Sequence, residues 1–157
     1  MEPHAPTPTR RMKTIERLAR AGVAVGINAS PIVPGLNDGE LPELLREARD
    51  AGATFANRTM VRLPGPVKEV FAERLRLLLP LKADKIMRQI EDARGGGGRL
   101  NESRFGERMK GSGVRWRMIE DLFASAWQRC GFRPMPPPPE VSTFRRPQRV
   151  KGQLELF

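Results

Sequence analysis

Apolar residues recur along this chain with two different periods, and the switches between them predict its elements. Met12, Ile15, Leu18 and Ala19 share one face of a helix. It opens at Thr7-Pro8, a capping residue followed by proline at the first helical position, and it closes at Gly22. Residues 23–29 form a short apolar run with Val23, Val25 and Ile27, the composition of a strand buried in a parallel sheet. Leu41, Leu44, Leu45 and Ala48 then stripe a second helix over residues 40–51, with Asp38 placed as its N-cap and Gly52 as its stop. Residues 55–63 predict a second strand, ended by Leu63-Pro64-Gly65-Pro66. Residues 1–66 therefore read α-β-α-β, an α/β segment of about two βα units.

Residues 67–132 read as helical. Val67, Val70, Phe71, Leu75, Leu78 and Leu79 sit at helical spacing until Pro80 interrupts. Ala83, Ile86, Met87, Ile90 and Ala93 continue in a new helix. Arg94-Gly95-Gly96-Gly97-Gly98-Arg99 cannot be helix interior and predicts a flexible loop. A basic segment runs to Gly113, and Trp116, Ile119, Phe123, Ala126, Trp127 and Cys130 form a last stripe. Residues 133–157 change character. Pro136 to Pro139 are consecutive prolines, and a basic run comes after them, which predicts an extended, disordered tail rather than a packed element.

A strand-to-helix loop in an α/β protein leaves the carboxyl end of a parallel strand, where such folds place their chemistry. Here that loop is Ser30-Pro31-Ile32-Val33-Pro34-Gly35-Leu36-Asn37-Asp38. Its residues also suit a plain turn, since two prolines stiffen it, Gly35 permits positive φ and Asp38 caps the next helix. Two parallel strands alone leave both edges open and enclose little core. A closed β/α barrel needs about eight such units. The pattern therefore predicts a sheet that is cut, with further strands supplied by another chain or by a longer protein.

Charge narrows the partners. The 157 residues carry 28 Lys+Arg against 18 Asp+Glu, a formal +10, which favours polyanions, nucleic acid first. One cysteine, Cys130, excludes an internal disulfide and a cluster ligated by several cysteines of this chain. No segment approaches the roughly 18 apolar residues of a membrane span. The amino terminus has no signal-peptide core, so a cytoplasmic location and no membrane partner are expected.

Several segments, in order, resemble one family. Glu2-Pro3-His4-Ala5-Pro6-Thr7-Pro8 with Arg11, the stretch 21–38 with its Pro-Ile-Val-Pro-Gly-Leu-Asn-Asp ending, and Arg62-Leu63-Pro64 are similar to the fourth-to-sixth strand region of radical S-adenosylmethionine proteins. The subgroup is the spore photoproduct lyase-like (SplB-like, "DNA repair photolyase") group. Arg94-Gly95-Gly96, and Arg99 through Ser103-Arg104-Phe105-Gly106-Glu107-Arg108-Met109 to Gly113, resemble its C-terminal signature. The resemblance covers most of residues 1–132. It implies the C-terminal piece of a partial (β/α) barrel followed by a helical region. Complete members are lyase-like enzymes. They hold a [4Fe-4S] cluster on a Cys-x3-Cys-x2-Cys motif, and the cluster cleaves S-adenosylmethionine reductively to a 5′-deoxyadenosyl radical. This chain lacks that motif, and His4 stands where relatives usually carry arginine. A cluster held this way needs three thiolates, so the chain alone is expected to hold neither cluster nor cofactor and to depend on the missing N-terminal half.

By the same resemblance Asn28, Pro31, Pro34, Gly35 and Asn37 would face S-adenosylmethionine. Arg99, Arg104, Arg108 and Lys110 are candidates for nucleic-acid backbone contact. Segment 94–110 has five cations against Glu102 and Glu107, so a solvated loop is the competing reading. Arg62 suits a carboxylate or phosphate, or a structural ion pair. Phe105 suits stacking on a base but is expected rather to anchor its loop to the core. Trp116 and Trp127 are expected to be core, Cys130 to be a small buried residue, and His4 to be exposed. The terminal Gln153-Leu154-Glu155-Leu156-Phe157 looks like the peptide by which bacterial replication and repair proteins bind the sliding clamp. Leu154, Leu156 and Phe157 would be the anchors and Gln153 would fix the register. That motif also supports a rival reading: a non-enzymatic, basic DNA-binding adaptor docked on the clamp.

Overall fold

Helix ends, more than helix interiors, lay out this chain. The structure is a computed structural model that describes residues 5–138, 140, 141 and 145. Helix α1 (Pro8–Arg20) starts with the Thr7 hydroxyl accepting from the Arg10 N–H. It ends with Gly22 N–H donating to Ala19 and Val23 N–H to Leu18, around a left-handed Gly22. Helix α2 (Leu41–Asp50) ends identically at Gly52 and Ala53, and α5 (Val114–Arg129) at Gly131 and Phe132. Each stop turns the chain sharply back toward the core.

Strand β1 spans Gly26–Ile32 and β2 spans Phe55–Met60. They pair in parallel, Gly26 opposite Phe55 and Asn28 opposite Asn57, as a two-stranded sheet. The described residues are thus mixed α/β and form no barrel. The first strand lies later than the predicted 23–29, because Val23 is still engaged in closing α1. The register slips between Ala29 and Ile32, where Pro31 has no N–H to give the ladder. The β2 ladder stops short of the predicted Leu63, although Val61 N–H still donates to Ile32 at 2.9 Å.

The sheet is covered on one face only. Ala29 and Met60 point into a core built with Leu41, Leu45 and Ala48 of α2 and with Trp116, Ile119, Phe123 and Ala126 of α5. Arg58, on the same face as Met60 by alternation, pairs with Glu120 at 2.8 Å and lies 4.9 Å from the Phe123 ring centroid. Helix α4 (Ala83–Ala93) adds Ala83, Ile86, Ile90 and Ala93 to the same core. Helix α3 (Val67–Leu78) contributes Leu75 fully and Phe71 in part. Leu79, just past its end, also packs in part, whereas Val67, Val70 and Leu78 of the predicted stripe are exposed, as are Leu77 and Leu81, the last at 99%. Trp116 is buried as expected, whereas Trp127 and Cys130 are half-buried at the core margin. The segment after α5 returns to the sheet, with Arg133 N–H donating to Thr54 at the start of β2. No helix among the described residues is long and apolar enough to cross a membrane.

Candidate functional site at the carboxyl end of the strands

Three pieces of chain meet where the strands end. The first is the uncovered sheet face. Asn28 and Asn57 are exposed neighbours across the ladder, and the Thr59 hydroxyl donates to Asn28 Oδ1 at 3.4 Å. Asn57 and Thr59 escaped the sequence reading. The signal was the alternation Asn57-Arg58-Thr59-Met60, whose odd positions are polar. Beyond this face, the free edge of β1 borders a groove of about 480 Å³ between α1 and α2. Asn28, Pro31 and Asn37 line it, with Arg11, Met12 and Ile15 on one wall and Leu44 with Glu40, Glu43 and Glu47 on the other.

The second piece is the loop after β1, which is held by its own side chains. Asn37 Oδ1 accepts from Val33 N–H at 2.8 Å, and its amide donates to Pro31 at 3.0 Å. Pro34 is fully buried, and the Gln89 side chain of α4 occupies the space that a Cβ on Gly35 would need. Asp38 does not cap α2. It opens a 3-10 turn, Asp38–Glu40, and α2 starts at Leu41 with no side-chain cap. Its carboxylate instead accepts from Gly35 N–H at 2.9 Å and from Arg115 of α5 at 2.5 Å. Of the five loop and strand residues expected to face a cofactor, Asn28, Pro31 and Asn37 line the groove, Pro34 is buried in the fold, and Gly35 is exposed beside Gln89 and outside the groove lining.

The third piece is the basic loop. Gly95, Gly96, Gly97 and Gly98 all have φ between 70° and 89°. Four successive left-handed residues favour glycine, because a Cβ would crowd the following carbonyl at every step. The run throws the chain outward, and both Ser112 and Gly113 return to donate to the Ala93 carbonyl. Inside the loop sits Arg94, 4% exposed. Its guanidinium donates to the carbonyls of Lys110 at 2.5 Å, Val61 at 2.7 Å and Arg108 at 3.3 Å. Burial pushes this guanidinium below its ordinary value; Glu102 opposes that and Arg62 adds to it. Met60 N–H donates to Met109 at 3.1 Å, so the loop is stitched to the end of β2. Position 94 follows Ile90 by four residues, and this extension of the buried stripe was the signal for its role.

The cations at the tip differ in their freedom. Arg104 is held by Glu102, which it engages through Nε and Nη2. These bonds and the Arg104 N–H hold the Glu102 carboxyl at about 2, and Glu102 raises Arg104 in return. Arg108 lies 5.3 Å from the Phe105 ring centroid. Arg99 and Lys110 are exposed and enter no ion pair among the described residues. Arg62 likewise forms no ion pair there, and its Nε is buried without a partner. Phe105, expected in the core, is 90% exposed. Gly106, with φ of 86°, turns the chain beside it, and Arg94 rather than an aromatic ring attaches the loop to the fold. His4 and Gln153, Leu154, Leu156 and Phe157 lie outside the described residues.

The donor set does not fit an iron-sulfur cluster. Three thiolates are required, Cys130 is the one cysteine of the chain, and no cluster of three metal-ligating side chains occurs among the described residues. Comparison with protein-family models, curated proteins and solved structures finds no match to this chain.

Proposed function

We propose that this chain is the cluster-less part of a radical S-adenosylmethionine protein of the SplB-like group, with the cluster-bearing strands furnished by a separate polypeptide segment. One observation carries the reading: a parallel pair of strands with helices on one face only. Parallel sheets are ordinarily covered on both faces and continue past short pairs. Here the bare face carries Asn28, Asn57 and Thr59, and the β1 edge opens onto a groove whose walls mix Met12, Ile15 and Leu44 with Arg11 and three glutamates. A barrel closed by further strands would turn that face inward, as the lining of a polar cavity. The cluster and the cleavage of S-adenosylmethionine belong to the complementing segment; this chain would contribute the cavity wall and the basic loop. The test uses the full chain mixed with the Cys-x3-Cys-x2-Cys half of a SplB-like protein. A one-to-one complex that is lost on Leu44→Glu in the groove is the expected result. A [4Fe-4S] absorbance from this chain reconstituted alone would overturn the proposal.

The second reading is the non-enzymatic, DNA-binding clamp adaptor. It draws support from the basic loop, which is fully formed by this chain and exposed without any complementing strand.

A further inference from the structure

We propose that Phe105 is a stacking platform for an unpaired base, so that loop 99–110 binds single-stranded nucleic acid in preference to duplex. The proposal rests on the nucleic-acid part of the proposed function and not on radical chemistry. Phe105 stands 90% exposed on a turn in which Arg108 N–H and Glu107 N–H both donate to the Arg104 carbonyl. The Arg108 guanidinium, 5.3 Å from the ring centroid, backs one face of the ring and leaves the other to solvent. An aromatic ring so placed accepts any base, because every base has a π-face, and a cation behind the ring strengthens the stack. A duplex hides those faces, so the ring selects for unpaired or extruded bases. Arg99 and Lys110 are exposed in the same loop with no ion-pair partners among the described residues, which leaves both cations for phosphates. Charge complementarity favours this occupant over an apolar protein groove: with Arg94 buried, loop 99–110 still carries Arg99, Arg104, Arg108 and Lys110 against Glu102 and Glu107.

The platform is also rigidly based. Arg94 fixes the Arg108 and Lys110 carbonyls to the end of β2, and Met60 fixes Met109.

The test is fluorescence anisotropy of the full chain with labelled oligothymidine and with a hairpin duplex of equal charge. Single strand should bind more tightly than duplex. Phe105→Ala should weaken the single strand by about tenfold and leave the duplex unchanged, while Phe105→Trp retains single-strand binding. Lys110→Gln should weaken both. Loss of both substrates equally on Phe105→Ala, or of neither, overturns the platform and leaves nucleic-acid binding standing. Absence of binding to either oligonucleotide overturns both.

Discussion

Arg115 donates to the Asp38 carboxylate at 2.5 Å across 77 positions of sequence, tying the start of α5 to the loop after β1. The same carboxylate accepts from Gly35 N–H, so one side chain sets both the curvature of the loop and the place of the helix. Asp38→Ala removes both acceptors from a mostly buried site. A stability loss of about 1–3 kcal/mol is expected by urea unfolding. Asp38→Asn keeps an oxygen for Gly35 and should lose less. Equal losses for the two variants would show that the ion pair alone matters.

Arg94 gives the second prediction. Its planar fork reaches three backbone carbonyls, a geometry that a lysine ammonium cannot reproduce. Arg94→Lys should cost about 1–3 kcal/mol and speed cleavage within loop 99–110 in limited proteolysis. Unchanged proteolysis would mean that the loop holds its shape without the anchor.

Glu102 should titrate at about 2, below the ordinary 4.5, because Arg104 bonds its charged form. The sign is set by that direction. A lowered carboxyl favours the folded loop fully above pH 4.5, and that contribution is lost as pH falls toward 2. Carboxyl NMR titration reads the value, and Arg104→Gln should return it toward the ordinary range. A Glu102 midpoint unaffected by Arg104→Gln would refute the assignment of cause.

The glycine run separates backbone from packing. Gly97 has φ of 70°, and nothing lies within 4 Å of where a Cβ would stand. Gly97→Ala should therefore cost about 1–2 kcal/mol through conformation alone, and Gly97→Asn less, because asparagine tolerates that region. A neutral alanine would mean the loop relaxes to another path.

The clamp reading is tested at the tail. Leu156→Ala with Phe157→Ala should abolish pull-down by a bacterial sliding clamp and leave oligonucleotide binding unchanged. Undiminished pull-down would refute the motif.

What the sequence made legible was local. Stripes at helical spacing placed Ile15, Leu45, Ile90 and Trp116 in the core, where they are. The glycines that stop α1 and α2 were readable too, because a left-handed stop is chemistry of neighbouring residues. What was not legible depends on partners distant in sequence. Asp38 has the composition of a cap, and only a partner 77 residues away diverts it. Phe105 has the composition of an anchor, but its loop turns it outward once Arg94, not an aromatic ring, makes the attachment. On α3 the apolar stripe is wider than the core that meets it, so Val67, Val70 and Leu78 stay in solvent. In the candidate site, the loop 30–38 was found from its prolines and glycine, whereas Asn57 and Thr59 needed the strand pairing to become neighbours of Asn28.

Both ends of the basic loop are fastened at one peptide, since the Ala93 carbonyl takes Ser112 and Gly113 while Arg94 departs from it. A segment closed at its base is a cassette. Its length is uncoupled from the register of α4 and α5, and doubling it would cost only about 0.6 kcal/mol in closure entropy. Insertions beside Gly97 or exchange of the tip around Phe105 can then vary what the loop grips, generation after generation, without renegotiating the core beneath it.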